Sequence, residues 1–287
     1  MRGDRSIGLT RVVGVIVPDD ERRMQRFFRM IFVVQGMVCA SVHAMTVEQY
    51  QANGVPVTVV RVNLAQDDVR LFWANDQGGL YRRFERVADH MAQQGKTLSF
   101  AMNAGMYHAN RAPVGAYVAE GVTRFPLNVS GGVGNFFLAP NGVFAIDRRG
   151  QAVIQATAQF VSSMSPHTAW RWVTQSGPML VQGGQLHPAF RAGSVSKTVR
   201  NGVGRVDAQH VVFAISEQPI NFYDFAQLFK DQLHCADALY FDGSISAMYL
   251  HGVKRLPQRE DAGVMVGVVE PRPAQVQPAR YPRRPPP

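Results

Sequence analysis

The chain has 287 residues, 46% hydrophobic and 18% charged, enough to bury a sizeable core and too apolar for a disordered chain. Its net charge of +9 would suit an acidic partner such as nucleic acid, but residues 1–44 hold three of those charges and residues 271–287 hold four. The body between them is nearly balanced, which speaks against nucleic-acid binding by that body.

At the N-terminus, Arg22, Arg23, Arg26 and Arg29 precede the apolar run Met30–Ala40, and Ser41-Val-His-Ala44 follows with small residues. That order is the layout of a secretory signal, and the run is too short for a comfortable membrane span. Residues 1–44 are therefore expected to be a signal peptide, with 1–23 either an extended basic region or upstream of a start at Met24 or Met30. The expected location is periplasmic or extracellular, with no stable membrane span after processing. Cys235 would then be the lone cysteine, placed where a small buried hydrophobe is expected.

Within the body, Val57–Val62 alternates as a strand, and Val69–Trp73 is a second one after Asp67-Asp68. Phe84, Val87, Ala88 and Met91 recur at helical spacing, and Gly95 is the stop. Thr97–Met102 reads as a strand ending at Asn103-Ala-Gly105. Pro113–Gly121 reads as a hairpin arm closed by Glu120-Gly121. Asn135–Asp147 reads as a hairpin that turns at Asn141-Gly142. Ala156–Met164 is a short helix candidate, while Trp170–Ser176 and Met179–Val181 are strands around Gly177-Pro178. Val206–Ile215 is a hairpin broken at Asp207-Ala208. Phe222, Phe225, Ala226, Phe229 and Leu233 make a helix capped by Asn221, followed by the buried strand Ala238–Phe241 and a last strand at Val264–Val269. The expected fold is α+β: a single domain over 45–270 of mixed, mainly hairpin-built β-sheet with a few flanking helices. Residues 271–287, with seven Pro and four Arg, are expected to be a disordered tail.

No nucleophile elbow, zinc-helix motif or phosphate loop is present. The eight His lie scattered, and no metal or cofactor is called for. Polar residues instead sit at strand ends beside Gly or Pro: Asn103, Asn135, Ser176, Arg200-Asn201, Ser216-Glu217 and Asp242-Gly-Ser244. Each alone is an ordinary turn. Attached to strands of a shared sheet, they would converge on one rim. Two carboxylates, a guanidinium, amides and hydroxyls suit a sugar bearing an anionic phosphodiester.

Asn103-Ala-Gly-Met-Tyr107, Pro113-Val-Gly115, Gly134-Asn-Phe-Phe137, Pro140-Asn-Gly142, Gln175-Ser-Gly-Pro178, His187-Pro-Ala-Phe190, Arg200-Asn-Gly-Val-Gly204 and Phe241-Asp-Gly-Ser244 occur in that order. Together, over about residues 55–270, they resemble the phosphodiester glycosidase family, in its small bacterial exported branch. Two departures stand out: Ala104 replaces a usual Gly, and Asp242-Gly-Ser-Ile-Ser246 replaces the usual Asp-Gly-Gly-Ser, so Ser244 or Ser246 matches the family hydroxyl. The resemblance implies an exported hydrolase that cleaves the glycosidic bond of a sugar linked through a phosphodiester. Asp242 is the leading carboxylate and Glu217 the second. Arg200 is expected to bind phosphate, and Asn103, Asn135, Ser176, Asn201 and Ser244 to bind substrate. An envelope glycan is a further candidate partner. The alternatives are a non-catalytic glycan- or phosphopolymer-binding envelope protein and a metal-dependent phosphodiesterase.

Overall fold

A computed structural model describes residues 45–163, 169–243, 245–253 and 256–272. The expected signal segment, the Pro/Arg tail and Ser244 lie outside these residues. Those described belong to one compact unit within His43–Pro287.

The order of elements is β1 (Thr46–Ala52), β2 (Val55–Asn63), β3 (Asp68–Phe72), α1 (Phe84–Gln93), β4 (Lys96–Asn103), β5 (Tyr117–Ala119), β6 (Val122–Phe125), β7 (Gly142–Asp147), β8 (Ala152–Ala156) and α2 (Thr157–Ser163). Then come β9 (Trp170–Ser176), β10 (Met179–Gln182), β11 (Gln185–Leu186), β12 (Asn201–Arg205), β13 (His210–Ser216), α3 (Phe222–Gln227), β14 (Asp237–Asp242), β15 (Met248–Leu250) and β16 (Met265–Pro271). Instead of one shared sheet there are three. Their orders are β1-β2-β13-β12-β14-β10-β11, β15-β4-β16-β3 and β6-β5-β9-β7-β8. Among the described residues every strand pair is antiparallel. The molecule is therefore mostly β with a few short helices, and its sheets are not mixed in direction.

The inner faces of all three sheets meet in one core. Val60, Phe213, Val203 and Phe241 come from the seven-stranded sheet, Phe100, Met102 and Val266 from the four-stranded sheet, and Phe144, Ile146 and Trp172 from the five-stranded sheet. Each outer face has its own cover. Phe84, Val87 and Met91 of α1 pack on the four-stranded sheet, each burial worth ~1.5–3 kcal/mol. Phe225 and Ala226 of α3, with Leu228 and Phe229 of the following π-helical turn, cover the seven-stranded sheet. Phe160 of α2 lies on the five-stranded one.

Most expected elements are present, and Asn221 caps α3 as its spacing suggests, its Oδ1 accepting from Asp224 N at 2.8 Å. The hairpin expected at Asn135–Asp147 is corrected. Asn135–Phe137 forms a 3-10 turn and the chain then runs irregularly to Gly142. The backbone of that stretch is used elsewhere: Pro140 O accepts from Met179 N, Asn141 O from Thr157 N, and Ala139 O lies 3.0 Å from His187 Nε2. β7 pairs instead with β8 and β9. β1, β8 and β15 were not foreseen, and the hairpin expected at Val206–Ile215 has its first strand earlier, as β12 at Asn201–Arg205. β1 pairs with β2 across Asn53-Gly54, both at positive φ (47° and 78°), which is what a two-residue hairpin turn demands.

Candidate active site

The ends of four buried strands lie at one place, and their terminal residues tie the sheets together. Asn103 closes β4, Ser176 closes β9, Asn201 opens β12 and Asp242 closes β14; each is almost fully buried. Asn201 Nδ2 donates to Asn103 O at 2.8 Å and to Asn103 Oδ1 at 2.9 Å. Asn201 Oδ1 accepts from Asp242 N at 3.0 Å. Asn103 Oδ1 also accepts from Ala247 N at 3.1 Å. From the five-stranded sheet, Ser176 Oγ donates to Phe241 O at 2.7 Å, and Thr174 Oγ1 donates to Ala104 O at 2.8 Å. Charge-free hydrogen bonds of this kind contribute ~0.5–1.5 kcal/mol each, and a buried group left without its partner costs ~1–3 kcal/mol. The network therefore fixes where Asp242 stands.

Asp242 Oδ1 accepts from Gly243 N at 2.6 Å, and Ser246 Oγ returns to Asp242 O at 2.8 Å and Val199 O at 3.0 Å. The turn at Gly243 has no room for a side chain, since a Cβ there would collide with the Tyr240 hydroxyl and stand 2.9 Å from Thr198 Oγ1. Beside it opens a cavity of about 450 Å³ lined by Val199, Glu217, Gly243, Ser246, Arg259 and Glu260 among others, a volume typical of small-ligand sites. Glu217 is half-buried and accepts from Thr58 Oγ1 at 2.7 Å. It follows β13, and Asp242 ends β14; β12 runs between these two strands. The two backbones are therefore about 10 Å apart, two strand spacings.

Tyr107, in the loop after β4, stands at the edge of this site against Gly263, whose Cβ position would meet its ring. Its hydroxyl is pushed up to about 12, first by burial and then by the negative charge of Asp242. Tyr107 was part of a motif in the sequence but carried no assigned role there; the motif was the available signal. Tyr240 is likewise held above the usual phenol range by burial.

The structure separates the expected site residues. Asn103, Asn201 and Asp242 form the network, and Glu217 lines the adjoining cavity. Ser176 is fully buried with its hydroxyl given to Phe241 O, so it is a strap between sheets and not a substrate contact. Arg200 is corrected as a phosphate clamp. It is 1% exposed, and its Nε donates to Ile220 O at 2.8 Å, one terminal nitrogen to Ser196 O at 3.2 Å and the other to Tyr240 Oη at 3.4 Å. Its guanidinium lies 3.5 Å from the Phe222 ring centroid, on the outer face of the sheet. Asn135 is exposed at the start of the 3-10 turn, outside the network. Ser244 is not among the described residues.

Among the described residues, no three of His, Cys, Asp and Glu gather as a metal-holding group, and no helix is long and apolar enough to cross a membrane. Cys235 is buried against Gly204, and burial pushes its thiol up to about 12, the opposite of an activated nucleophile.

The fold is shared with the catalytic domain of zebrafish N-acetylglucosamine-1-phosphodiester alpha-N-acetylglucosaminidase, described as auto-inhibited by its pro-peptide. The TM-score is 0.54 at 14% identity, covering 78% of this chain and 82% of that one. A hypothetical protein from Synechocystis matches with a TM-score of 0.50 at 15% identity, over 79% of this chain and 62% of that one. At such identities the likeness concerns the fold alone. In sequence, the uncharacterised YigE of Escherichia coli K12 is 35% identical over 196 residues, which is 68% of this chain and 75% of YigE. The phosphodiester glycosidase model matches residues 96–271, a stretch running from the first residue of β4 to the last of β16 and including every member of the Asn103–Asn201–Asp242 network. The chain therefore belongs to the phosphodiester glycosidase family.

Proposed function

We propose that the protein is an exported hydrolase that cleaves the glycosidic bond of a sugar linked through a phosphodiester. The observation that carries this reading is the placement of Asp242. Its backbone is locked by Asn201 and Asn103 at the mouth of a buried strand, and the next residue, Gly243, lines a cavity that Glu217 also lines. Family membership supplies the reaction class.

A phosphomonoester is a good leaving group, so the demand on the protein is to stabilise an oxocarbenium-like transition state and the departing anion. Asp242 is the carboxylate assigned to the anomeric carbon, and Glu217 is the second carboxylate across the cavity. Asn103 and Asn201 act by holding Asp242 in place. The C1–O bond breaks with its electron pair passing to the phosphate oxygen, and water supplies the hydroxyl that ends on C1. The basic N-terminal segment 1–44 serves as the export signal, the domain spans 45–270, and the Pro/Arg tail follows it.

Incubating the mature protein with a sugar-1-phosphodiester and identifying the products tests the reading. Release of free sugar and a phosphomonoester is expected. Release of a sugar phosphate would mean that the P–O bond on the far side was cut and would refute it, as would binding without turnover. Asp242→Asn should keep the fold and lower kcat by about two orders of magnitude or more. Near-normal turnover in that variant removes Asp242 from the chemistry.

A further inference from the structure

A second cavity, of about 600 Å³ against about 450 Å³ beside Asp242, opens between β3, α1, β5 and β9. β3 is the edge strand of its sheet. Its last residue, Phe72, pairs with Met265, which pairs in turn with Asn103. Trp73, the next residue, therefore emerges at the same end of the sheet as the candidate active site, two strand spacings or ~10 Å across from it.

The wall of this cavity is aromatic and pinned. The chain leaves β3 at Trp73 and returns at Tyr81, with Tyr81 N donating to Trp73 O at 3.1 Å and Ala74 bridging Leu80. Within that loop Asn75 Oδ1 accepts from Gln77 N at 3.1 Å and from Gly79 N at 2.8 Å. The Trp73 indole donates to Arg111 O at 2.8 Å and makes edge-to-face contacts with Phe125 and Tyr117, at 5.0 Å and 6.1 Å between ring centroids. Trp73 is half-buried and lines the cavity, so part of its ring stays open.

Two polar groups on this wall are unspent. Tyr81 is 7% exposed, and its hydroxyl has no hydrogen-bond partner among the described residues. Trp172 also lines the cavity, and its Nε1 is buried without a partner. Buried polar groups are nearly always paired, so an unpaired hydroxyl this deep in a cavity wall points to a ligand that pairs it. The charges on the lining cancel. Arg70 is paired with Asp68 at 2.6 Å and Glu120 with Arg171 at 3.0 Å. Asp76 and Arg124 are exposed and of opposite sign.

We infer that this cavity is a carbohydrate-binding site, taking a neutral pyranose unit of a glycan stacked on Trp73 and hydrogen-bonded to Tyr81. A pyranose ring has a face of C–H groups and a rim of hydroxyls that both donate and accept. A rigid aromatic wall with few fixed polar groups suits that mixture. A charged ligand would meet a lining whose own charges already balance. The site is separate from Asp242 and does not rest on the proposed reaction. A glycan held here is kept within reach of the candidate active site at the same end of the sheet.

Titration calorimetry on the full chain with two neutral trisaccharides, chitotriose and maltotriose, tests the inference, alongside hydrolysis of a small sugar-1-phosphodiester. At least one trisaccharide should bind with a Kd of about 1 mM or tighter, and added salt should not weaken it. Trp73→Ala should lower that affinity about tenfold or more. Tyr81→Phe keeps the ring and removes only the unpaired hydroxyl, so it should fold as the wild type does and bind about fivefold more weakly. Both variants should leave hydrolysis of the small phosphodiester unchanged, and Asp242→Asn should leave trisaccharide binding unchanged. No binding of either trisaccharide at millimolar concentration would overturn the inference. So would wild-type affinity in Tyr81→Phe or in Trp73→Ala, or a loss of trisaccharide binding in Asp242→Asn. Adenosine, a planar ligand that also stacks, is the control, and tighter binding of adenosine than of either sugar refutes the pyranose assignment. If the wild type hydrolyses no phosphodiester but Tyr81→Phe still weakens the trisaccharide, this site stands and the proposed reaction falls.

Discussion

Replacing Arg200 with Leu distinguishes a structural cation from a substrate clamp. The substitution removes one bond to Ile220 O, one to Ser196 O, a longer one to Tyr240 Oη, and the contact with Phe222. These losses are unequal. Ile220 O keeps a bond from Thr198 N at 3.3 Å, and Ser196 lies on an exposed segment where water can replace the arginine. The Tyr240 hydroxyl is buried and loses its guanidinium partner, which costs ~1–3 kcal/mol. The stacked contact adds up to ~2 kcal/mol in a desolvated setting, and removing a buried charge returns part of its desolvation penalty. The net expectation is a loss of about 3 kcal/mol, a large share of the stability of an ordinary domain. Urea unfolding should show a lower midpoint at unchanged m-value. Adding Tyr240→Phe removes the orphaned hydroxyl and should recover about 1 kcal/mol or more, a coupling that a double-mutant cycle reads directly. Affinity for sugar phosphate in the folded fraction should change little. A wild-type midpoint together with a large loss of sugar-phosphate affinity would refute the reasoning and return Arg200 to the substrate.

Two further predictions concern buried titratable groups. Burial holds the His187 imidazole below its usual range, only partly offset by Ala139 O; its Nδ1 accepts from Ala189 N at 3.1 Å and so has no place for a second proton. Because its folded pKa lies below the unfolded one, the unfolded chain takes up the proton first, and this contribution is full above about pH 6.5 and is lost as pH falls from there through the folded value. The urea midpoint should drop between pH 7 and pH 5, and His187→Asn should be less stable at pH 7 but flatter over that window; an equally steep slope in the variant would place the titration elsewhere. Cys235, with its thiol pushed up to about 12 by burial, should resist iodoacetamide at pH 8 in the native protein and react on unfolding, as read by peptide-resolved mass spectrometry. Rapid labelling of Cys235 in the native state would contradict its packing.

The elements were legible where periodicity and turn chemistry agreed. Phe84, Val87 and Met91 with Gly95 define α1, and Glu120-Gly121 closes β5 onto β6, because local sequence alone sets those geometries. Asn141-Gly142 misled for a tertiary reason. A two-residue hairpin needs the preceding strand to be free to pair back, and residues 139–141 spend their carbonyls on Met179, Thr157 and His187, contacts that no local pattern encodes. Asn53-Gly54 carried the same signal and does make a hairpin, with Ala52 and Gln51 pairing directly with Val55 and Pro56. The dipeptide reports a backbone preference, and the competing partners decide whether it is used.

The site was legible as a set of strand ends but not as a division of labour among them, and the pair Arg200-Asn201 shows why. Adjacent residues entering a strand point to opposite faces of the sheet. Here Asn201 turns inward to Asn103 and Asp242 while Arg200 turns outward to Phe222 and Tyr240. A motif read as a string gives both residues to the same rim, although the alternation of the strand allows the rim only one.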